Sequence, residues 1–521
     1  MQNASRLILN TGSTYIRMLV TVGLGLMTTS LAVKALGKTD FGVFGVVVSI
    51  AGLIMIVSDS LGWSAQRQMA IYLAQEDETL LKRSFGTCWA MVILLACLPV
   101  VYVFIRGKWT LDQLAIPDDR QEVAWWSLQT IIIGMAVGLL ATPHRSLMLA
   151  KQDIVLLTLF EAADSMLRLG AACLAYFTEY DPLFIFSVAT GGATGFCALG
   201  IVIICTIRYR IARAWPASIH RGQAKELLRI GGWDMALSGL WRVRTQGSQI
   251  ILNLAFGPAI NAANGIANQA AGYQHNLAFA ILRAAHPAII QRYAAGSITS
   301  LHRLMLVTSK YMMLAMSLLL IPLIFESETI LMLWLHNPPA FTSELLILTA
   351  IWMAINNLTA GHTSVIYASG NLKKLTLSLM LVELIGFVIA GLWLIRYQGP
   401  VWGGAAVIVI ITLMGVYTRA CIGGEIAHLR FWQWLRYTVL PWIAVTGVVS
   451  LIVWLITYYF PPSSMRLMTV CVITVLMIPL LSWIIAMEKW EREQLIDVAR
   501  SVLSTAVPNH LKWRIGAWFL R

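Results

Sequence analysis

Two arginines and an aspartate stand inside an apolar stretch, and they are the residues through which this sequence could do chemistry. Residues 231–257 read GGWDMALSGLWRVRTQGSQIILNLAFG and carry Asp234, Arg242 and Arg244. Charge inside a spanning segment is costly in lipid, so it marks binding, gating or transport by default. At about 100° per residue, Asp234, Ser238, Trp241 or Arg242, Thr245, and Ser248 or Gln249 gather on one side, which predicts one wall of a wet cavity. Arg242 and Arg244 precede Gly257 by roughly 20 Å of helix, which places them near mid-membrane and beyond easy snorkelling. The competing reading is a buried ion pair that only locks helices together.

Three further stretches share this character. In the first, Asn10, Thr14, Arg17, Thr21 and Thr28 occupy one helical face, and Asp59 on the next span reaches about the same depth. Arg17 and Asp59 are therefore expected to face each other or a shared polar space. In the second, NGIANQAAGYQHNLAFAILRAAHP, one side carries Asn264, Asn268 and His275, and another carries Gln269, Asn276 and Arg283. A helix polar over so much of its circumference is not expected to face lipid. His275 is a candidate for ion coupling, set against a hydrogen-bonded packing role. In the third, Glu161, Asp164 and Arg168 share a face, and Asp164–Arg168 has the spacing of a structural ion pair. Glu383 is the main charge in an otherwise apolar region covering the ninth to twelfth spans.

The elements that must position these residues follow from composition. The chain has 521 residues, of which 58% are hydrophobic and 12% charged, with mean hydropathy +0.73. That excludes an ordinary soluble protein and predicts an all-α polytopic membrane protein with about fourteen transmembrane helices. They are expected to form two six-helix lobes around a central cavity, with two more helices at the C-terminal end. The domains are read as 1–207 (first lobe), 208–229 (basic linker), 230–421 (second lobe), 422–487 (two additional helices) and 488–521 (amphipathic tail on the cytoplasmic membrane surface). A shift of 220 residues brings Ala35-Leu36-Gly37 onto Ala255-Phe256-Gly257 and Gly45 onto Gly265, a thin internal repeat that suits two parallel lobes.

Loops on the side of the N-terminus carry more than twice as many Lys and Arg as the opposite loops, which predicts cytoplasmic termini in a bacterial inner membrane. The net charge of +13 is accounted for by this topology and requires no nucleic-acid partner. The N-terminal segment reads as the start of the first span and not as a signal peptide. The seven cysteines lack C-x-x-C or metal-like spacing, and neither metal nor cofactor is expected. Gly37-Lys38-Thr39 lacks the first glycine of a phosphate-binding loop, which argues against an ATP-driven pump. Asp118-Asp119 reads as a solvated turn. Gly134-x-x-x-Gly138 permits close helix packing.

The segment Leu36-Gly-Lys-Thr-Asp-Phe-Gly-Val-Phe-Gly45 resembles the L-G-x-x-x-F-G-x-[YF] pattern of Wzx-type polysaccharide and O-antigen flippases of the multidrug/oligosaccharidyl-lipid/polysaccharide exporter superfamily. The resemblance implies movement of an undecaprenyl-diphosphate-linked oligosaccharide from the cytoplasmic to the periplasmic leaflet by alternating access. It also implies lipid partners, a proton or sodium coupling ion and a polysaccharide polymerase. Relatives that flip the peptidoglycan precursor place arginines in the first and eighth spans near the diphosphate, which carries that role to Arg17 and Arg283. With the central stripe, the substrate-binding set becomes Arg17, Arg242, Arg244, Arg283 and Trp241, and the ion-coupling or gating set becomes Asp59, Asp234, Glu383 and His275. The alternatives are an ion-coupled multidrug exporter, for which acidic residues would suit organic cations, and a membrane-embedded enzyme of polysaccharide assembly, against which the short outer loops argue.

Overall fold

The computed structural model describes the backbone of residues 2–54, 56–213, 220–397 and 399–506, and their side chains except at 2–19, 54, 56–59, 154, 226, 229–231, 284 and 498–506. Among the described residues the chain is helical with no strand. The first half comprises α1 (Gln2–Ile54), α2 (Ile56–Ala74), α3 (Glu78–Asp112), α4 (Gln121–Leu140), α5 (Thr142–Ala150), α6 (Ile154–Phe177) and α7 (Pro182–Arg208). The second comprises α8 (Arg221–Phe256), α9 (Pro258–Ala294), α10 (Ile298–Phe325), α11 (Ser327–Leu335), α12 (Thr342–Asn357), α13 (Ala360–Ser369), α14 (Leu372–Leu379), α15 (Ile385–Tyr397) and α16 (Gly403–Ala427). Then follow α17 (Phe431–Trp434), α18 (Leu440–Tyr459), α19 (Ser464–Leu481) and α20 (Lys489–Ala506).

The thin repeat in the sequence is a strong one in the backbone. Adding 220 to the starts of α3, α4, α5, α6 and α7 lands within two residues of the starts of α10, α12, α13, α14 and α16. The breaks match as well. α1 is interrupted at Gly37, with φ 74° and ψ 176°, and α8 stops at Gly257, with φ 84° and ψ −178°. This backbone region is essentially closed to residues with a Cβ.

Nine helices among the described residues are long and apolar enough to cross a membrane, or ten with the bent pair α12–α13 taken as one crossing. The sequence reading gave about fourteen. Four expected crossings make the difference: α8 and α9, 36 and 37 residues long, are rich in polar residues, α6 carries Glu161, Asp164 and Arg168, and the two segments of α1 on either side of Gly37 count as one. Large apolar side chains such as Leu94, Leu159, Ile389, Leu392 and Leu476 are exposed, as on a surface that faces lipid. The molecule is an all-α polytopic membrane protein.

Buried apolar residues fall into clusters that, apart from Val33, draw either on residues 32–227 or on residues 240–486. Gly134 does permit close packing, since a Cβ there would overlap the Gly191 carbonyl of α7. The segment from Arg221 onward is helical, because QAKELL is rich in helix formers and Leu227 is buried against the first-half core. One expectation changes. The ninth to twelfth spans are not uniformly apolar apart from Glu383, because Lys310 and Arg419 are both buried there.

Candidate functional site between and within the halves

The polar residues of α8 and α9 are divided between two surroundings. Toward the first half, Arg242 is half-buried and its Nη1 donates to the Gly52 carbonyl at 3.5 Å. A Cβ on Gly52 would crowd Gln246, and one on Gly45 would crowd Asn261 and Gln249. Asn261 donates to the Gly42 carbonyl at 2.8 Å, and Thr29 donates to Gln269 at 2.7 Å. Trp334 and Ser30 close the same region through Trp334 Nε1 to Leu26 O and Ser30 Oγ to Trp334 O, each 2.8 Å. The Asn261–Gly42 bridge lies close to Gly37 and Gly257, whereas Arg242 meets Gly52 nearer the middle of α8. Gly42 brings the backbones of the two halves together near Gly37, and side-chain amides face Gly45 and Gly52.

Inside the second half, Arg244 is buried at 5% exposure and pairs with Glu383 at 3.1 Å. Arg419 joins the same carboxylate at 3.3 Å, while donating to Asn356 at 2.9 Å and to Thr359 at 3.2 Å. Glu383 sits in a π-helical turn, residues 380–384, between α14 and α15. Such single-turn widenings recur at functional positions. Gly415 makes room for it, since a Cβ there would overlap Glu383 Oε1.

Arg242 and Arg244 therefore do not form one wall. Two residues apart on a helix means about 200° apart, so one faces the other half and the other faces its own. The polar face of α9 divides likewise: Gln269 bonds the first half, whereas Asn264 and Asn268 line a cavity within the second.

A run of rings links the buried and exposed cations. The Arg244 guanidinium lies 5.1 Å from the Trp352 ring centre, Trp352 stacks on Trp241 at 5.0 Å, and Trp241 is 5.5 Å from His275. His275 is 5.3 Å from Phe279, and the exposed Arg283 lies 5.2 Å over Phe279. Asn357 Nδ2 holds His275 Nδ1 at 3.1 Å. Tyr367 donates to Asp234 at 2.8 Å, which anchors that carboxylate to α13. The side chains of Arg17 and Asp59 lie outside the described residues, and so does their expected pairing.

Other charges have structural partners. Arg168 bonds Asp164 at 2.8 Å and Thr194 at 2.7 Å, the ion pair expected from their spacing. Beside the Asp118-Asp119 turn, Arg120 joins Asp40 to Asp181, with 2.6 Å to the latter. Sequence reasoning missed Arg419 and Trp352. Arg419 carried a readable signal, a lone arginine in an apolar span; Trp352 carried none, since tryptophan is unremarkable in a membrane helix.

No family model matches the chain, and no curated protein matches it in sequence. Its fold does match solved structures. One is described as an inward-facing conformation of a multidrug resistance MATE family transporter of the MOP superfamily, with TM-score 0.67 and 12% identity, covering 81% of this chain and 99% of that one. Another is the lipid II flippase MurJ in an inward closed conformation, with TM-score 0.61 and 12% identity, covering 92% of this chain and 98% of that one. A third is the MATE multidrug transporter DinF-BH in complex with R6G, with TM-score 0.58 and 16% identity, covering 80% and 95%. The chain shares the fold of these three proteins.

Proposed function

We propose that the protein is a flippase for a lipid-linked anionic saccharide, an undecaprenyl-diphosphate oligosaccharide of surface-polysaccharide assembly. One observation carries this reading: α8 and α9 present the guanidiniums of Arg242 and Arg283 outside the second-half core, while Asp234 is engaged by Tyr367. Guanidinium forks suit diphosphate oxygens and offset part of the cost of bringing them into a low-dielectric space. An organic cation would meet charge of its own sign there. The greater coverage of this chain by MurJ than by the MATE structures differs by about the length of segment 431–486, which also supports a flippase architecture.

In this reading residues 1–207 and 230–421 are two six-helix lobes, related by the 220-residue repeat, and the chain crosses the bacterial inner membrane fourteen times with cytoplasmic termini. The seal near Gly37 and Gly257 closes the periplasmic end. Substrate enters from the cytoplasmic end, where Arg17, Arg242 and Arg283 take the diphosphate and the lipid tail stays in the bilayer. Trp241 supports the sugar-facing wall. Opening of the Gly37 seal then releases the sugar outward. Asp59 and Asp234 carry any ion coupling.

The test is leaflet translocation of a fluorescent undecaprenyl-diphosphate oligosaccharide in proteoliposomes. The native chain is expected to flip it, and Arg242→Ala and Arg283→Ala each to lose roughly tenfold or more of the rate, since each removes a charge-assisted contact. Lys374→Ala, on the surface, serves as the control. Ion-driven flux of small organic cations without lipid flipping would establish the multidrug function instead.

A further inference from the structure

The Arg244–Glu383–Arg419 cluster places two guanidiniums against one carboxylate, all at most 7% exposed. Arginine stays protonated in proteins, so the surplus positive charge is not relieved by losing a proton. In the first half, Asp164, 219 positions before Glu383, pairs with Arg168.

Beside the cluster lies a cavity of about 50 Å³ between α8, α9, α12, α15 and α16. Its polar lining is Arg244, Ser248, Asn264, Asn268 and Thr349, with the edge of Trp352. Arg244 Nε is buried and makes no hydrogen bond. Asn268 Nδ2 donates one proton to Asn264 O at 2.9 Å and Asn264 Nδ2 one to Ser248 at 3.2 Å, which leaves each amide a second N–H. The cavity has room for one small ion with water.

We propose that this cavity binds a small monovalent inorganic anion, of which chloride is the natural example. Arg244 supplies the charge and its unused Nε–H, and Asn264, Asn268 and Thr349 supply neutral donors. The bound anion cancels the surplus charge and holds the π-helical turn at Glu383 against α16. The same surplus disfavours a bare cation in this cavity. The site is separate from the surface proposed for the lipid-linked substrate, and its test does not use transport.

The purified full-length protein would be unfolded thermally in sodium gluconate, chloride and bromide at one ionic strength. A saturable rise of several degrees in Tm with halide is expected. Arg244→Lys and Thr349→Val should abolish or weaken it, and Glu383→Gln, which leaves two uncompensated cations, should lower the halide concentration needed by several-fold. If a variant fails to fold, bromide anomalous scattering from crystals of the native protein decides the matter. A bromide peak in the cavity supports the site. A cavity with water only, or a halide effect that Arg244→Lys leaves intact, overturns it.

Discussion

Gly37 and Gly257 stand 220 residues apart and share one backbone conformation, with φ 74° and 84° and ψ 176° and −178°. Gly37 interrupts α1, Gly257 separates α8 from α9, and a Cβ at either would meet nothing within 4 Å. Their requirement is conformational and not one of space. Gly37→Ala and Gly257→Ala are each expected to cost about 1–3 kcal/mol. Thermal unfolding in detergent would read this, and an unchanged Tm for both would refute it.

Gly42 is required for the opposite reason. A Cβ there would overlap the Pro258 carbonyl, and Asn261 bonds the Gly42 carbonyl at 2.8 Å. Gly42→Val should push the halves apart at this end while leaving each core intact. A cysteine placed at Thr29, which is buried in the described conformation, is expected to react faster with a membrane-impermeant thiol reagent in that background. Equal rates would show that the seal does not depend on this contact.

Removing different members of the buried triad should have unequal effects. Arg419→Met leaves one guanidinium facing one carboxylate, whereas Glu383→Leu leaves two buried cations. Loss of one partner from a buried pair costs about 3–5 kcal/mol, so Glu383→Leu is expected near or above that range and Arg419→Met below it. Denaturation midpoints of the two variants give the order directly, and the reverse order would sink the assignment.

The tail helix is anchored by a buried ion pair. Lys310 of α10 bonds Glu491 of α20 at 2.7 Å and the Ala486 carbonyl at 2.8 Å, with both charged side chains at 3% exposure. Arg303 lies 5.3 Å over Trp490 beside it. Glu491→Ala strands the Lys310 ammonium and should release α20. Limited proteolysis is expected to cleave between Met487 and Ala506 several-fold faster in this variant, and unchanged protection would mean that the apolar face alone holds the helix.

Much of this was written locally in the chain. Apolar composition fixes a helical membrane protein, because lipid offers no partner to an unpaired backbone. Gly37 and Gly257 could be read as turns and aligned as a repeat, since a glycine at a helix end has one main use. The polar faces of α9 were also legible: Gln269 on one meets the first half, and Asn264 and Asn268 on the other line a cavity in the second. Helical periodicity could not say what Arg242 and Arg244 face, because it fixes angles about one axis and not the neighbours around it. Only the packing of α8 against α1, α12, α15 and α16 turned one arginine toward the other half and sealed its neighbour against Glu383. Arg419 reached that carboxylate from 36 residues further along the chain. Charge balance in a low-dielectric interior is a property of three dimensions, and for that reason the sequence determined which residues are charged while the tertiary structure decided which charges are matched.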